Sequence, residues 1–409
     1  MSETEYREIA GGKAFLAALA GLGVLIVIGV GAAWRMEHLG HHVTGMTNQI
    51  VWGVPHVFAV FLIVAASGAL NVASIASVFG RTPYKPLARL SGLLAIALLA
   101  GGLAILVLDL GRPDRLIVAM THYNFKSIFA WNIFLYTGFL AIVAVYLWVQ
   151  MEWRMNRYAA ALGWLAFLWR LALTTGTGSI FGFLVARQAY DAAIMAPLFI
   201  AMSFAFGLAI YILVLMAACG AGGRELGDRL LRRLARLLGI FVGVVLYFTA
   251  VRHLTNLYAA EHWAVERFIL WDGGVYTALF WLGQVALGGV APLVLLFHPS
   301  MAAGRRGLVV AASLVIVGGL TQVYVIIIGG QAFPLAMFPG MEVRSSFFDG
   351  VVASYAPSMP EIALGVGGVA LAGAIVLVGL RLLRFLPDTL ADAAVDPHHR
   401  RPATEAARN

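Results

Sequence analysis

The sequence predicts an all-α polytopic membrane protein with about ten transmembrane helices and both termini cytoplasmic, and three observations carry that prediction. Apolar residues make up 61% of the 409 residues and charged residues only 12%, against roughly 25% charged in a soluble domain. A soluble domain could not cover its surface with so few charges; lipid tolerates this composition. The apolar runs reach about 20 residues, the length that spans hydrocarbon as a helix. They show none of the ten-residue alternation of a membrane barrel, and hydrocarbon leaves helices as the other solution to backbone hydrogen bonding. Finally, Lys and Arg are unevenly shared between the segments on the two sides of these runs.

The first run, 14–34, follows a segment with Glu3, Glu5 and Glu8 rather than a basic leader, so it is read as a retained helix and not a cleaved signal. Further spans are expected at 50–80, 88–111, 124–151, 158–187, 194–222, 237–258, 274–297, 307–330 and 360–384. Several exceed the bilayer thickness, which implies tilt or extension past the lipid. The 45 glycines, with GGLAIL at 101–106 and GVGGVALAG at 365–373, offer small faces for close helix packing. Residues 1–387 form one integral membrane domain, and 388–409 read as a flexible cytoplasmic tail. Neither an internal repeat nor a long linker is visible.

With the N-terminus inside, the inner segments hold nineteen Lys and Arg, and the outer ones eight, among them Arg112, Arg115, Lys126, Arg187 and Arg344. This is the distribution expected of cytoplasmic termini; a bacterial inner membrane is what the family resemblance given below implies. The formal charge of +8 follows from topology, and no basic stripe interleaved with aromatics suggests nucleic acid. The single cysteine, Cys219, excludes a disulfide framework, thiolate zinc sites and chain-held iron–sulfur clusters, which need several ligands. Among MAACGAG it reads as a packing residue.

Unusual polar residues collect toward the outer leaflet. His56 lies early in the second span. Asp109 ends the third, before the turn Gly111-Arg112-Pro113-Asp114, and Asn124, Lys126 and Asn132 open the fourth. Arg187 closes the fifth span, with Tyr190 and Asp191 beyond; Arg252 and His253 close the seventh. Gln331 follows the ninth, and Tyr355 and Glu361 open the tenth. Ionisable groups at such depth are costly and face protein-lined cavities. Each also has a plainer reading. Arg112, Arg115 and Lys126 fit interfacial snorkelling, Asp109 fits a turn cap or a partner of Arg112, and His56 fits a structural hydrogen bond as well as a ligand role. His38, His41, His42 and His122 read as solvated loop residues.

A deeper set comprises Arg170, Thr174, Thr175, Thr177 and Ser179 in the fifth span, Gln284 in the eighth, and Gln322 and Tyr324 in the ninth. It fits helix–helix hydrogen bonding or a polar track for protons, Arg170 being the charge that needs partners. The track lacks an acidic residue near mid-membrane. Only His56 and His253 could hold a b-type haem, one well placed and one marginal, and c-type attachment is impossible with one cysteine.

The runs NQIVWGVPHVFAVFLIVAASGALN, LDLGRPDRL and NFKSIFAWNIFLYTG resemble the NrfD/polysulfide reductase membrane-subunit family. ARQAYDAAIMAPLFIAMSFAFGLA and GGQAFPLAMFPG with ASYAPSMPE resemble its ten-span, HybB-like branch, and within that the DsrP group of sulfite-reductase-linked complexes. The resemblance covers nearly the whole chain. It implies a menaquinone- or ubiquinone-reactive subunit with no haem or metal of its own. It also implies partners: a periplasmic ferredoxin-like iron–sulfur subunit, a multihaem cytochrome c, a membrane cytochrome b and a cytoplasmic iron–sulfur subunit. The positions matching the family's quinone pocket are His56, Asp109, Asn124 and Tyr123, with Arg187 and His253 further off. The polysulfide reductase subunit has an Asn one helical turn before its histidine-like position; this chain has Trp52 there, and Asn48 a further turn away.

These readings lead to quinone oxidoreduction, with His56 as hydrogen-bond donor or proton relay and Asp109 as the proton route to water. Electrons must come from a partner, since no side chain here is a competent redox centre. The alternatives are a structural anchor for redox subunits, a proton-translocating subunit of the same kind of complex, and a secondary transporter. The last would show broken midplane helices and repeated halves.

Overall fold

A computed structural model describes residues 5–298, 304–335 and 350–395. Arg344, residues 336–340 of the run GGQAFPLAMFPG, and residues 396–409 of the expected tail lie outside these. Among the described residues are ten helices long and apolar enough to cross a membrane. They are α1 (Lys13–Leu39), α2 (Val54–Ser77), α3 (Pro83–Leu108), α4 (Ile128–Met151), α5 (Trp153–Gly182), α6 (Met195–Ala221), α7 (Asp228–Tyr258), α8 (Val275–Phe297), α9 (Arg305–Ala332) and α10 (Met359–Leu382). All ten expected spans are present. The ends differ where local chemistry intervenes. The second span was expected from residue 50, but α2 starts only at Val54, where Pro55 supplies the fixed φ of a first turn. The fifth was expected to run to Arg187; α5 stops at Gly182, and Arg187 lies in the following turn segment.

Neighbour contacts divide the middle eight helices into two four-helix bundles. In the first, α2 packs on α3, α3 on α4, α4 on α5 and α5 on α2. In the second, the cycle runs α6, α7, α8, α9 and back to α6. The bundles meet along α2 and α6, where Gly68 and Gly207 let the backbones touch: a Cβ on Gly68 would overlap the Ser203 carbonyl, and one on Gly207 the backbone of Gly68 and Ala69. Close approach through small residues is how helices associate in lipid, where no hydrophobic force separates helix from solvent. α1 and α10 form an added pair beside α3, joined through Gly29 and Gly367, whose Cα atoms leave no room for a side chain. α1 is lipid-facing on most of its length, with Val24, Val27, Ile28 and Val30 exposed.

The two chain ends meet at one end of the molecule. Tyr6–Arg7 pairs antiparallel with Leu386–Pro387, and the Arg89 guanidinium lies 3.8 Å over the Tyr6 ring. Arg224 donates to the carbonyls of Leu386, Pro387, Arg7 and Glu8. Residues 388–395, read as the start of a free tail, pack instead. Leu390 is buried, and the Asp392 carboxylate accepts from the backbone N–H groups of Arg229 and Leu230 at the start of α7, where a carboxylate meets the positive end of a helix. The opposite end, where α2, α4, α6, α8 and α10 begin, carries the polar cluster and is called the site end below.

Candidate functional site

His56 stands in the first turn of α2 and Asp109 is the C-terminal cap of α3; the shared α2–α3 packing brings them together. His56 Nδ1 lies 2.9 Å from Asp109 Oδ2, with the Asp109 side chain 1% exposed and that of His56 22%. The contact is close, but the ring N–H is not aimed along it, so neither Asp109 oxygen accepts a hydrogen bond among the described residues. Asp109 thus meets one imidazole at ion-pair distance and takes no further protein hydrogen bond among the described residues.

An aromatic wall flanks the pair. Trp52 stacks on His56 with ring centroids 5.9 Å apart, and also faces Tyr190 at 6.3 Å, Phe181 at 5.9 Å and Phe129 at 6.1 Å. Trp52 is not one helical turn from His56, as the family pattern suggested, because residues 48–53 are not helical. Its main chain is gripped instead by Gln331 at the end of α9. The Gln331 side-chain oxygen accepts from the N–H groups of Val51 and Trp52, both at 3.0 Å, and its amide donates to the carbonyls of Trp52 and Ile327, both at 2.9 Å. Gln331 is fully buried and uses all its hydrogen-bonding capacity on backbone.

The start of α2 is held from α10. The Val54 N–H donates to the Tyr355 hydroxyl at 2.8 Å, which donates to Glu361 Oε1 at 2.7 Å. Glu361 Oε2 accepts from Gly45 and Ser358, each at 2.8 Å, which also forms the capping box of α10. Burial, then the Glu361 carboxylate beside it, pushes the Tyr355 phenol up, so it remains a donor. Arg187 joins the same loops, donating to the carbonyls of Gln331 and Gln49.

Of the expected pocket residues, the structure brings together His56 and Asp109 and sets Arg187 behind Trp52. Asn124 is exposed and accepts from the Lys126 N–H, and the Tyr123 ring packs on Phe125 and Phe134. Among the described residues no polar contact joins either to His56. His253 is in the other bundle, where Nδ1 lies 2.5 Å from Glu266 Oε2. Glu266 escaped notice in the sequence because it lies in the short segment 263–272 between α7 and α8, next to Arg267; a lone acid inside the apolar run WAVERFILW was the available signal. The side chain is buried, and Asn256 donates to its other oxygen at 2.8 Å. Burial pulls the Glu266 carboxyl up, but His253, Arg252 and Asn256 together outweigh it and hold it below the usual carboxylate range. No cluster of His, Cys, Asp or Glu suited to a metal ion occurs among the described residues.

The deeper polar set falls into two groups. Arg170 is fully buried, its guanidinium 4.8 Å and 5.0 Å from the rings of Phe167 and Phe204. Thr174 donates to Ser67 and Thr177 to the Leu173 carbonyl, with Tyr136 and Asn132 nearby. Gln322 donates to Thr249 in the second bundle, and Gln284 faces the same small cavity. Among the described residues no direct hydrogen bond links the two groups, which lie in different bundles.

The sequence matches the family Polysulphide reductase, NrfD, over residues 42–336, a range that takes in α2 to α9 and leaves out the pair α1 and α10. The chain belongs to this family. It is 30% identical to an Hdr-like menaquinol oxidoreductase integral membrane subunit of Archaeoglobus fulgidus, over 86% of this chain and 89% of that one. It is 29% identical to a putative dimethyl sulfoxide reductase membrane subunit of Halobacterium salinarum, over 92% and 93% of the two chains. A polysulfide reductase chain of Wolinella succinogenes is 24% identical, over 70% of this chain and 96% of that one.

Proposed function

We propose that this chain is the quinone-reactive membrane subunit of a multi-subunit oxidoreductase, with the quinone head bound between His56 and Asp109. The observation that carries this is the His56–Asp109 contact: a buried carboxylate whose one charged neighbour is an imidazole that reaches the surface, under the flat Trp52 ring. A quinol supplies what that arrangement needs. Its hydroxyl donates to Asp109 and its ring lies against an aromatic wall. The name of the menaquinol oxidoreductase relative supports the same chemistry.

Oxidising a quinol removes two electrons and two protons. Asp109 accepts a hydroxyl proton at a carboxylate oxygen, and His56 shares or relays it, since imidazole carries protons near neutral pH. The partial exposure of His56 gives that proton a way out. The electrons are assigned to a partner, because a single cysteine cannot hold an iron–sulfur cluster in this chain. The partner is an iron–sulfur subunit seated at the site end, where the loop after α3 leaves Leu110, Ile117, Val118 and Phe125 exposed. The charge asymmetry supports a site end facing away from the cytoplasm, in the DsrP-like arrangement with a multihaem cytochrome and further subunits. Menaquinone is the quinone we favour, after the name of the Archaeoglobus fulgidus relative.

The test is quinol oxidation by the intact complex after His56→Phe. Turnover is expected to fall about 100-fold, the usual weight of a general acid–base group, with assembly retained; unchanged turnover would remove His56 from the site.

A further inference from the structure

Three glycines near the start of α10 each receive a different helix. Phe58 of α2 fills the space beside Gly365, Gly29 of α1 closes on Gly367, and Ile105 of α3 fills the space beside Gly368. α1 and α3 thus both pack on α10 but barely on each other. Between them lies a cleft with Val30 on one wall, Ala104 and Leu108 on the other, and Gly367 and Gly368 as its floor. Every residue that lines it is apolar. Val30 is exposed and Ala104 and Leu108 are half-buried, so the cleft opens toward lipid.

The outer end of the cleft adjoins the His56–Asp109 pair. Leu108 is the residue before Asp109, and Ile105, also in the lining, is one turn before it on the same face of α3. Asp109 is outside the lining, about one helical rise of 5.4 Å beyond Ile105. On α10, Leu364 lines the cleft one turn after Glu361, which through Tyr355 holds the start of α2, two residues before His56. The cleft measures about 40 Å³; where one water needs about 10–15 Å³, that is room on the order of one five-carbon prenyl unit. α1 and α10 lie outside the residues that match the family, so the first bundle alone does not make this cleft.

We propose that this cleft receives the first prenyl unit of the quinol whose head lies at His56 and Asp109, the rest of the chain running out between α1 and α3 into the bilayer. The proposal rests on the quinone reading above and adds a subsite to it. Hydrophobicity does not choose the occupant, because lipid chains are as apolar as the cleft. Tethering does. A chain already fixed by its head meets the cleft at high effective concentration, whereas a phospholipid chain must be ordered out of the bilayer. An unfilled cleft forfeits dispersion contacts along its lining, so filling it strengthens the hold on a tailed quinol and does nothing for a quinol without a tail.

The test compares the intact complex in vesicles with its Ala104→Phe variant, which fills the cleft from the α3 wall, on menaquinol analogues with no prenyl chain and with one, two and four prenyl units. Chain length also changes partition into the bilayer, but equally for both proteins, so the ratio of their KM values isolates the cleft. That ratio should be near one for the chainless quinol, rise about tenfold at the first unit, the lower end of what a filled apolar pocket distinguishes, and then stay level. A ratio near one at every chain length overturns the proposal and leaves the quinone site standing. If the wild type oxidises none of these quinols, the site and its subsite fall together. A second readout needs no turnover. A quinone with a diazirine on its first prenyl unit, illuminated with the complex in nanodiscs, should label peptides that contain Val30, Ala104 or Leu371, and excess unlabelled tailed quinone should suppress the labelling. Labelling elsewhere, or labelling that the excess quinone leaves unchanged, assigns the cleft to ordinary lipid and overturns the proposal. Should Ala104→Phe not assemble, the photolabelling of the wild type still decides.

Discussion

The His56–Asp109 and His253–Glu266 pairs use the same two functional groups and differ in how completely each carboxylate is satisfied. Asp109 is buried with both oxygens free of hydrogen bonds, and its histidine is a fifth exposed. Glu266 is buried with both oxygens occupied, and its histidine is 9% exposed. An unsatisfied buried acceptor is poised for a ligand; a satisfied one stabilises its own protein. One motif thus leaves a carboxylate short of protein donors in the first bundle and fully bonded in the second. On the quinone reading, hydrogen-bond completeness, more than residue type, is what distinguishes the proposed binding pair from an internal network.

This comparison can be broken by experiment. The largest effect is expected from Glu266→Ala, which strands Arg252 and His253 in the interior. Breaking a buried pair in this way costs about 3–5 kcal/mol, read as a fall in the thermal midpoint of the purified chain. Asp109→Asn should cost clearly less by the same measurement, since it keeps the side-chain shape and loses only the ion contact with His56; an equal fall for both would erase the distinction. Asp109→Asn is instead expected to cost turnover, by about 100-fold if the carboxylate is the proton acceptor.

Gln331→Leu releases the main chain of Trp52 while leaving His56 and Asp109 in place. On the quinone reading a displaced wall lowers quinol affinity, and about a tenfold rise in KM, or 1.4 kcal/mol, is expected with kcat little changed. A collapse of kcat at unchanged KM would assign Gln331 a different role. The smallest effect concerns acid. Because the folded Glu266 carboxyl is held below its ordinary value, its contribution to stability is complete above the usual carboxylate pKa of about 4.3 and is lost as pH falls through the folded value. Thermal midpoints of the wild type should therefore drop more steeply in acid than those of Glu266→Gln. Parallel curves would mean that Glu266 is not held ionised.

The helices themselves were legible because hydrocarbon imposes one requirement on every spanning segment, and a run of apolar residues is its direct record. His56 and Asp109 were legible too, since a polar group at such depth stands out against Leu and Val. Trp52, Gln331 and Glu361 were harder to interpret. Gln331 looked like a residue after a helix, yet it is fully buried, because its partners are backbone groups of a loop some 280 positions earlier. Glu266 was hidden beside Arg267 in what read as an outer loop, and no local pattern tells a solvated acid from one folded back onto α7.

The sequence by itself determined ten membrane helices and a concentration of polar groups toward one end, because both follow from the cost of exposing polar atoms to lipid, residue by residue. Only the tertiary structure decided that those groups form two separate pairs, that the deeper residues divide between two bundles, and which carboxylate is left unsatisfied. Those outcomes depend on which helix packs against which, through glycine contacts such as Gly68 with α6, and on distances between residues far apart in the chain.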